Sequence, residues 1–342
     1  MFYNPSMAMD RDLGVAFVRA WATARGAPST GWEMMAATGA RGLRLIRESG
    51  SFATFTLTEA NPAAVEVLRE NARGLAGARV VLGDARKVPE GSPFDYVDLD
   101  PYGTPAPFVP AALSAVGPSG VLAVTATDMT VLAGAQSEAC RRRYGSRPVR
   151  GRLGPEGGLR ILVAFLARAA RERGRRIRPL LCYVRGHHVR AFVQVAESPP
   201  GNEPVGTIDP ATWTGPYLGS DGPYGPLWLG PLFDRPLVDA LETPPDAAEA
   251  RQVTGFLARL HEEVMVDVPF YYEPNVLASS LSLSEPPSEI ALLQGLRGEG
   301  YRAARTHARP EGIRTDAPRS EVEAVARRVS SPDQSQKARV RA

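Results

Sequence analysis

The 342-residue sequence contains only two cysteines, Cys140 and Cys182, which stand far apart along the chain. Disulfide frameworks and thiolate metal sites need several cysteines at short, regular spacing, so the sequence predicts neither. The four histidines also lack the spacing to cysteine or acidic partners that is typical of metal ligands. We therefore predict a reduced, cytoplasmic protein without a bound metal.

Long apolar stretches are missing as well. No run reaches the roughly 18 apolar residues that a membrane-spanning helix needs. The first residues, Met-Phe-Tyr-Asn-Pro, have neither the basic nor the apolar region of a secretion signal. We expect no membrane association, and since no feature indicates a protein partner, we expect a monomer. The length favours two domains, and a hydrophobic fraction of 44% is enough for a packed core.

Lysine is nearly absent. Lys87 and Lys337 are two of the 40 basic residues, so the other 38 are arginines. A GC-rich genome explains part of this bias, but the arginines also form two clusters, over residues 141–152 and 168–178. Such clusters are typical of proteins that bind the phosphate backbone of nucleic acids. A solvated basic surface is the alternative.

The first 195 residues alternate between strand-like and helix-like patterns, which predicts a parallel α/β sheet covered on both faces. The sequence also predicts a closing antiparallel hairpin, formed by residues 177–184 and 189–195. The other expected strands cover residues 32–37, 52–58, 79–82, 96–99 and 121–126, and the expected helices cover residues 12–24, 42–48, 62–71 and 159–171.

The composition changes near residue 197, and residues 199–236 are rich in glycine, proline and aromatic side chains. Helical patterns follow near residues 246–265 and 287–299. We therefore predict a catalytic domain over residues 1–196 and a smaller α+β C-terminal domain over residues 197–317. Residues 318–342 are charged and poor in aromatics, which predicts a weakly ordered tail.

The most informative run is Asp-Leu-Asp-Pro-Tyr-Gly-Thr-Pro-Ala-Pro at residues 98–107, directly after a predicted buried strand. Open α/β sheets bind their ligands at the carboxyl ends of strands, where Asp100, Pro101 and Tyr102 would lie. A carboxylate, a rigid backbone and an aromatic ring suit a planar substrate with an amine, and enzymes that methylate nucleobase amines carry an Asp/Asn-Pro-x-aromatic element at this place. A proline-rich turn with a capping aspartate is the alternative.

Three other strand ends carry groups suited to an elongated cofactor. The loop at residues 38–42 has glycines that allow a ligand to approach the backbone, although the dinucleotide pattern G-x-G-x-x-G is incomplete. Glu59 ends the second strand, where an acid reaches ribose hydroxyls, and Asp84 and Ala85 end the third, where they can contact an adenine amine. This spacing fits S-adenosylmethionine, whereas the alternative for Glu59 is a helix cap.

The N-terminal residues precede any predicted core element. Phe2, Tyr3 and Asn4 are followed by Arg11, which could meet the carboxylate of the cofactor as part of a lid. Packing of Phe2 against the sheet edge is the alternative.

Over roughly residues 1–316, these motifs closely resemble those of the tRNA guanosine-26 N2-dimethyltransferases in their archaeal form. The matching runs are Phe2-Tyr-Asn-Pro with Arg11-Asp12, and those at residues 38–42, 100–107, 125–128, 140–145, 158–162, 225–228 and 301–316. The resemblance implies a Rossmann-like, class I S-adenosylmethionine-dependent methyltransferase fold. It also implies transfer of one or two methyl groups to the exocyclic N2 of guanosine 26 of tRNA. The C-terminal domain at residues 197–317 is then expected to bind the tRNA, with the arginine clusters holding its backbone.

The resemblance also implies roles for individual residues. Asp100 corresponds to the catalytic carboxylate, and Phe2 and Tyr102 are expected to stack on the base, with Tyr102 at a position that usually holds phenylalanine. Some members carry cysteine pairs before the run at residues 225–228, but this chain has none there, so no zinc site is expected. The cofactor positions of the family correspond to Arg11, Arg41, Glu59, Asp84 and Ala85.

Two other functions stay open at this point. One is an N-methyltransferase for another RNA or DNA base amine, against which the runs at residues 2–5 and 104–107 argue. The other is a non-catalytic RNA-binding protein of the same fold. The acids at positions 59, 84 and 100 argue against that second function.

Overall fold

The computed structural model describes residues 3–197 and 201–330. Within these ranges the strands are β1 (Thr30–Glu33), β2 (Thr54–Glu59), β3 (Ala78–Leu82), β4 (Phe94–Leu99), β5 (Val116–Ala126), β6 (Arg175–Arg185), β7 (His188–Glu197), β8 (Val205–Ile208), β9 (Tyr224–Trp228), β10 (Ala303–Arg305) and β11 (Ile313–Thr315). The helices are α1 (Ala8–Arg25), α2 (Gly42–Ser49), α3 (Pro62–Asn71), α4 (Val109–Ala115), α5 (Met129–Leu132), α6 (Ser137–Tyr144), α7 (Gly154–Arg171), α8 (Arg235–Asp239), α9 (Ala250–Glu263), α10 (Pro274–Leu281), α11 (Glu289–Gly298) and α12 (Arg319–Ser330).

Seven strands form the central sheet, in the order β3-β2-β1-β4-β5-β7-β6. Strands β1 to β5 run parallel, whereas β7 is antiparallel to both β5 and β6. The predicted α/β sheet with a closing antiparallel hairpin is therefore confirmed. The strand order reverses between β1 and β4, and open α/β sheets bind ligands at such a reversal.

The central strands are apolar on both faces because helices cover both sides of the sheet. Residues 121–124 of β5 are fully buried. Helix α7 packs against β6, β7 and β9, and most of its residues are buried. None of the described helices is both long and apolar enough to cross a membrane.

The residues after the sheet pack in two groups. The β8–β9 hairpin and helices α8 and α9 share one hydrophobic core with the sheet, and this core continues to Tyr271. A second, smaller cluster lies between helices α10 to α12 and the β10–β11 hairpin, with Leu292 and Leu296 at its centre. The first core includes residues on both sides of residue 197. The predicted domain boundary at this residue stays a prediction.

The prediction of a weakly ordered tail from residue 318 is wrong for its first part. Residues 319–330 form α12, whose Val322, Val325 and Ala326 are buried against α10 and α11. These apolar residues recur at a spacing of three and four, which places them on one face of a helix. Residues 331–342 lie outside the described residues.

Buried charges join α7 to the C-terminal region. Glu156 accepts hydrogen bonds from Arg160 Nε at 2.8 Å and Arg314 Nη2 at 2.9 Å. Arg314 Nε also donates to Glu263 at 2.9 Å, and the second oxygen of Glu263 lies 2.6 Å from His307 Nδ1. The runs at residues 158–162 and 301–316 thus supply a buried ion-pair network that fixes how these parts pack.

Candidate active site

A cavity of about 560 Å³ opens where the parallel strands β1 to β4 end. It lies where the strand order reverses, which is where open α/β sheets bind their ligands. Phe2, the eighth predicted site residue, lies outside the described residues. The cavity brings together the other seven: Arg11, Arg41, Glu59, Asp84, Ala85, Asp100 and Tyr102.

Asp100 directly follows the buried strand β4 and is held by a buried arginine. Arg41 Nη2 donates to Asp100 Oδ2 at 2.5 Å. The Arg41 side chain is 6% exposed and that of Asp100 is 24% exposed. Arg41 therefore fixes one oxygen of Asp100, while the carboxylate stays open to the cavity.

A second buried acid supports this pair from below. Asp98 is fully buried and accepts from Arg190 Nη2 at 2.6 Å and from Tyr96 Oη at 2.7 Å, and Arg41 Nε lies 3.9 Å from its other oxygen. Burial raises the pKa of Asp98, but Arg190 and Arg41 outweigh burial and hold the pKa below its usual value. Asp98 thus stays charged and anchors the guanidinium that holds Asp100.

Glu33 is a cavity residue that the sequence analysis did not identify. It ends β1, is buried, and accepts a hydrogen bond from Gly42 N at 3.0 Å. Burial, reinforced by the charge of Asp98, raises the pKa of Glu33 to about 8. The sequence predicts this strand over residues 32–37, whereas β1 ends at Glu33, so the position of Glu33 at a strand end was missed.

Glu59 fixes the loop that follows β1. One carboxylate oxygen accepts from Ala37 N at 2.9 Å and the other from Asn61 N at 2.8 Å. The helix-cap alternative is not observed, because the side chain of Asn61 caps α3 by accepting from Ala63 N. Glu59 therefore shapes the cavity wall and lines the cavity.

Asp84 lies just after β3, and its side chain is 36% exposed. Arg86 Nη2 donates to it at 2.6 Å, and the hydrogen bonds from Arg86 lower the pKa of Asp84 to about 2. Exposed ion pairs contribute little free energy, so Arg86 can exchange for a ligand at small cost. The neighbouring Ala85 is buried and contributes to the cavity wall.

Arg11 projects from α1 and is held by the residues before that helix. Its Nη1 donates to Asn4 O at 3.2 Å and its Nη2 donates to Tyr3 Oη at 3.1 Å, while the Tyr3 ring lies 4.8 Å from the guanidinium. The preceding Asp10 anchors α1 through His188 Nε2, which lies 2.7 Å away. Tyr3 lines the cavity and was not predicted as a site residue.

Tyr102 stands at the mouth of the cavity, and its residue is 73% exposed. The following Gly103 has a φ of 78°, a conformation that favours glycine. Gly103 N donates to Thr127 Oγ1 at 2.7 Å, and Thr127 N donates to Gly103 O at 3.0 Å. These bonds fix the backbone that follows Tyr102 at the mouth of the cavity.

Arg168 joins the two arginine clusters, since its Nη2 donates to Tyr144 O. In the cluster at residues 168–178, Arg175 donates to the backbone oxygens of Leu113, Val116 and Gly117. These acceptors lie near the amino end of β5, at the opposite edge of the sheet from the cavity. Arg175 therefore stabilises the start of β5, and the cluster at residues 141–152 lies nearer to the cavity.

The side chains in the cavity suit a ligand with separate charged and neutral ends. Carboxylates of Glu59 and Asp84 can accept from hydroxyl and amine groups, and Arg11 can hold a carboxylate. These are the groups that S-adenosylmethionine presents, so the cavity fits this cofactor. Across residues 3–197 and 201–330, no three histidine, cysteine or acidic side chains are grouped to hold a metal ion.

Comparisons with known proteins find relatives over nearly the whole chain. The model of the N2,N2-dimethylguanosine tRNA methyltransferase family matches residues 1–206 and 218–327. The chain is 34% identical to a tRNA (guanine(26)-N(2))-dimethyltransferase of Thermococcus kodakarensis, over 93% of this chain and 90% of that protein. It is 33% identical to the enzyme of the same description from Pyrobaculum calidifontis, over 96% and 92%. The solved structure of Trm1 from Pyrococcus horikoshii with S-adenosyl-L-methionine is similar with a TM-score of 0.84 and 30% identity, covering 95% of this chain and 94% of that one.

Proposed function

The chain belongs to the N2,N2-dimethylguanosine tRNA methyltransferase family, and from this premise we infer that it methylates the N2 of guanosine 26 in tRNA with S-adenosylmethionine as methyl donor. The observation that carries this proposal is the position of Asp100. Its carboxylate is fixed by Arg41 and faces a cavity whose far wall carries Glu59 and Asp84.

We assign the cofactor to the part of the cavity formed by the ends of β2 and β3. Glu59 would hold the ribose hydroxyls, Asp84 and the backbone of Ala85 the adenine, and Arg11 the carboxylate. Arg41 would close the cavity beside Asp100. When bound, S-adenosylmethionine supplies a methyl group on a positively charged sulfur, and the protein mainly positions the reacting groups.

Asp100 is the catalytic residue in this proposal. The lone pair of the guanine N2 is delocalised into the ring, so the amine is a poor nucleophile. Since Arg41 engages Asp100 Oδ2, Asp100 Oδ1 is available to accept one N–H of the amine, and the carbonyl of Pro101 can accept the other. Both bonds orient the amine and favour the localised lone pair. As the N–C bond forms and the bond between the methyl group and sulfur breaks, leaving a neutral thioether, Oδ1 would take the proton that the amine loses.

Aromatic residues at the mouth would hold the base. We propose that Tyr102 stacks on one face of guanine, and that Phe2, at the start of the chain, stacks on the other. A base inside folded tRNA must leave its stack to reach Asp100, and stacking on these rings offsets part of the few kcal/mol that this costs.

We also propose that one chain is the working unit and that it acts in the cytoplasm, where it would meet its tRNA substrate. Seven of the proposed site residues line one cavity within a single chain, which supports a monomer. Sedimentation equilibrium at micromolar concentration tests this, and a dimer that loses activity on dilution would contradict it.

The function is tested with radiolabelled S-adenosylmethionine and two tRNA transcripts that differ only at position 26. Label on the guanosine transcript, recovered as N2-methylated or N2,N2-dimethylated guanosine, supports the proposal. Equal label on a transcript with adenosine at position 26 would show that the methylated nucleotide lies at another position. Cofactor binding without label on either transcript would favour a non-catalytic RNA-binding protein.

A further inference from the structure

A groove lined by arginines lies outside the catalytic cavity. It has a volume of about 530 Å³ and is formed by α6, the residues just before it, and the segment after it. Its basic side chains are those of Arg141, Arg142, Arg147 and Arg150. None of these residues belongs to the site described above.

Hydrogen bonds attach this groove to the mouth of the catalytic cavity. Tyr144 Oη, at the end of α6, donates to Asp128 Oδ1 at 2.8 Å and accepts from Thr104 Oγ1 at 2.8 Å. Arg143 Nη1 donates to the other oxygen of Asp128 at 3.1 Å. Thr104 follows Tyr102 and Gly103, and Asp128 follows Thr127 of the cavity wall, so α6 is fixed beside the entrance.

The far side of the groove is anchored to the C-terminal region. Arg147 and Gly225 exchange two backbone hydrogen bonds of 2.8 Å, and Arg147 Nη1 donates to Gly222 O at 3.2 Å. Arg150 also lines a neighbouring cavity of about 190 Å³ that contains Tyr217 and Tyr272. The basic surface therefore runs from the catalytic mouth towards the region after the sheet.

The groove carries excess positive charge. Glu138 pairs with Arg141 at 3.0 Å, and Asp221 lies 3.6 Å from Arg147 and 3.7 Å from Arg150. Among the described residues, no carboxylate pairs with Arg142, which is exposed. Two acids thus face four guanidinium groups, and the groove favours a polyanion.

We propose that this groove binds the phosphodiester backbone of the tRNA beside the target nucleotide. The proposal rests on the proposed function, since a tRNA must present its base at the mouth to which α6 is attached. Backbone phosphates fix register and orientation without reading sequence, which suits an enzyme that must place one nucleotide of a folded tRNA at its mouth.

Arg175 and Arg176 of the cluster at residues 168–178 are excluded from this role by their place in the sheet. Strand β7 pairs Gln194 with Val121 near the start of β5 and Val189 with Ala126 at its end. Arg176 pairs with Ala196, which lies two residues past Gln194 on β7 and thus further towards the amino end of β5. Arg176 therefore lies at the amino edge of β5, whereas the catalytic cavity lies at the carboxyl edge.

The test compares two double variants with the same change in charge. R142Q/R150Q removes two exposed arginines of the groove, and the control R171Q/R176Q removes two exposed arginines of the other cluster. Binding of tRNA is measured by fluorescence anisotropy from 50 to 400 mM salt, and cofactor affinity by calorimetry. Circular dichroism and the thermal midpoint check that both variants are folded.

We expect R142Q/R150Q to bind tRNA at least about tenfold more weakly at 0.1 M salt, with a slope of log affinity against log salt that is shallower by about 1.5. The KM for tRNA rises, and cofactor affinity is unchanged. The control keeps the affinity and salt slope of the wild type.

Unchanged tRNA binding by R142Q/R150Q, or an equal loss in the control, overturns the groove proposal while methylation by the wild type upholds the proposed function. If the wild type neither binds nor methylates tRNA, the proposed function fails, and the groove proposal falls with it.

Discussion

Asp100→Asn is the substitution that most directly perturbs the proposed chemistry. It keeps the size of the side chain but replaces a charged acceptor with an amide. Two effects follow, one on folding and one on the reaction, and the structure indicates the size of each.

The effect on folding comes from Arg41. Removing one partner of a fully buried ion pair costs about 3–5 kcal/mol of unfolding free energy. Asp100 is 24% exposed, and Arg41 keeps Asp98 at 3.9 Å. The free energy of unfolding is therefore expected to fall by a smaller amount, about 1–3 kcal/mol, as for one lost charged hydrogen bond.

The effect on the reaction is larger. Loss of one preorganised hydrogen-bonding group that stabilises a transition state costs about 10²–10³ in rate, or about 3–4 kcal/mol. We expect the single-turnover rate of methyl transfer to guanosine-26 tRNA to fall by this factor at saturating cofactor and tRNA. Calorimetry is expected to show cofactor affinity within a few-fold of the wild type.

Asp84→Asn is the matched control, since it makes the same chemical change in the same cavity. It is expected to weaken cofactor binding, and its loss of rate should diminish as cofactor concentration is raised. A single-turnover rate for Asp100→Asn within a few-fold of the wild type would refute the catalytic role of this carboxylate.

Three further predictions concern the cofactor wall and the buried charges. Glu59→Gln replaces one of two acceptor oxygens. The free energy of cofactor binding is therefore expected to weaken by about 1–3 kcal/mol, so that the Kd measured by calorimetry rises roughly 5- to 150-fold. Glu33 has a pKa near 8 in the folded protein, above that of an unfolded glutamate, so the folded state binds the extra proton and stability falls as pH rises from about 4.5 to 8. Glu33→Gln should remove this fall in urea unfolding between pH 5 and 8. Arg314→Met leaves Glu156 and Glu263 without their shared cation and is expected to cost about 3–5 kcal/mol in urea unfolding.

Each of these predictions has a contradicting result. An unchanged cofactor Kd for Glu59→Gln would show that Glu59 does not bind the cofactor and only fixes the loop after β1. Parallel pH curves for wild type and Glu33→Gln would show that Glu33 is not protonated in the folded protein near neutral pH. A stable Arg314→Met variant would mean that the network between α7 and the C-terminal region contributes little to folding.

Much of the cavity was predictable because the carboxyl ends of parallel strands meet at one edge. Glu59, Asp84 and Asp100 are far apart in sequence, yet each ends or follows a strand whose apolar pattern is clear. Strand alternation and the position after each strand are local properties, so they can be read from the sequence.

The contacts within the cavity were not predictable, because they depend on the packing of distant segments. Arg41 was expected at the cofactor, and its bond to Asp100 becomes visible only once β1 and β4 pair, because the segments that follow these two strands then lie side by side. The role of Tyr3 depends on where the N-terminal residues cross Arg11. Arginine clusters in the sequence also carry no information about which edge of the sheet they occupy.

Composition was a weaker guide than periodicity in the C-terminal region. The charged, serine-rich sequence after residue 317 predicted weak order, but the spacing of Val322, Val325 and Ala326 places an apolar face on α12. The segment rich in glycine and proline has no regular period, so its pairing as the β8–β9 hairpin could not be predicted from local pattern.

The central claim, methylation of the guanine N2 held by Asp100, is tested most directly by one change in the substrate. A tRNA transcript with inosine at position 26 lacks only the exocyclic amine of guanosine. We predict that the enzyme binds this transcript with an affinity close to that of the guanosine transcript and transfers no methyl group to it. Transfer to the inosine transcript at a comparable rate would show that the reacting atom is not N2 of residue 26 and would contradict the account.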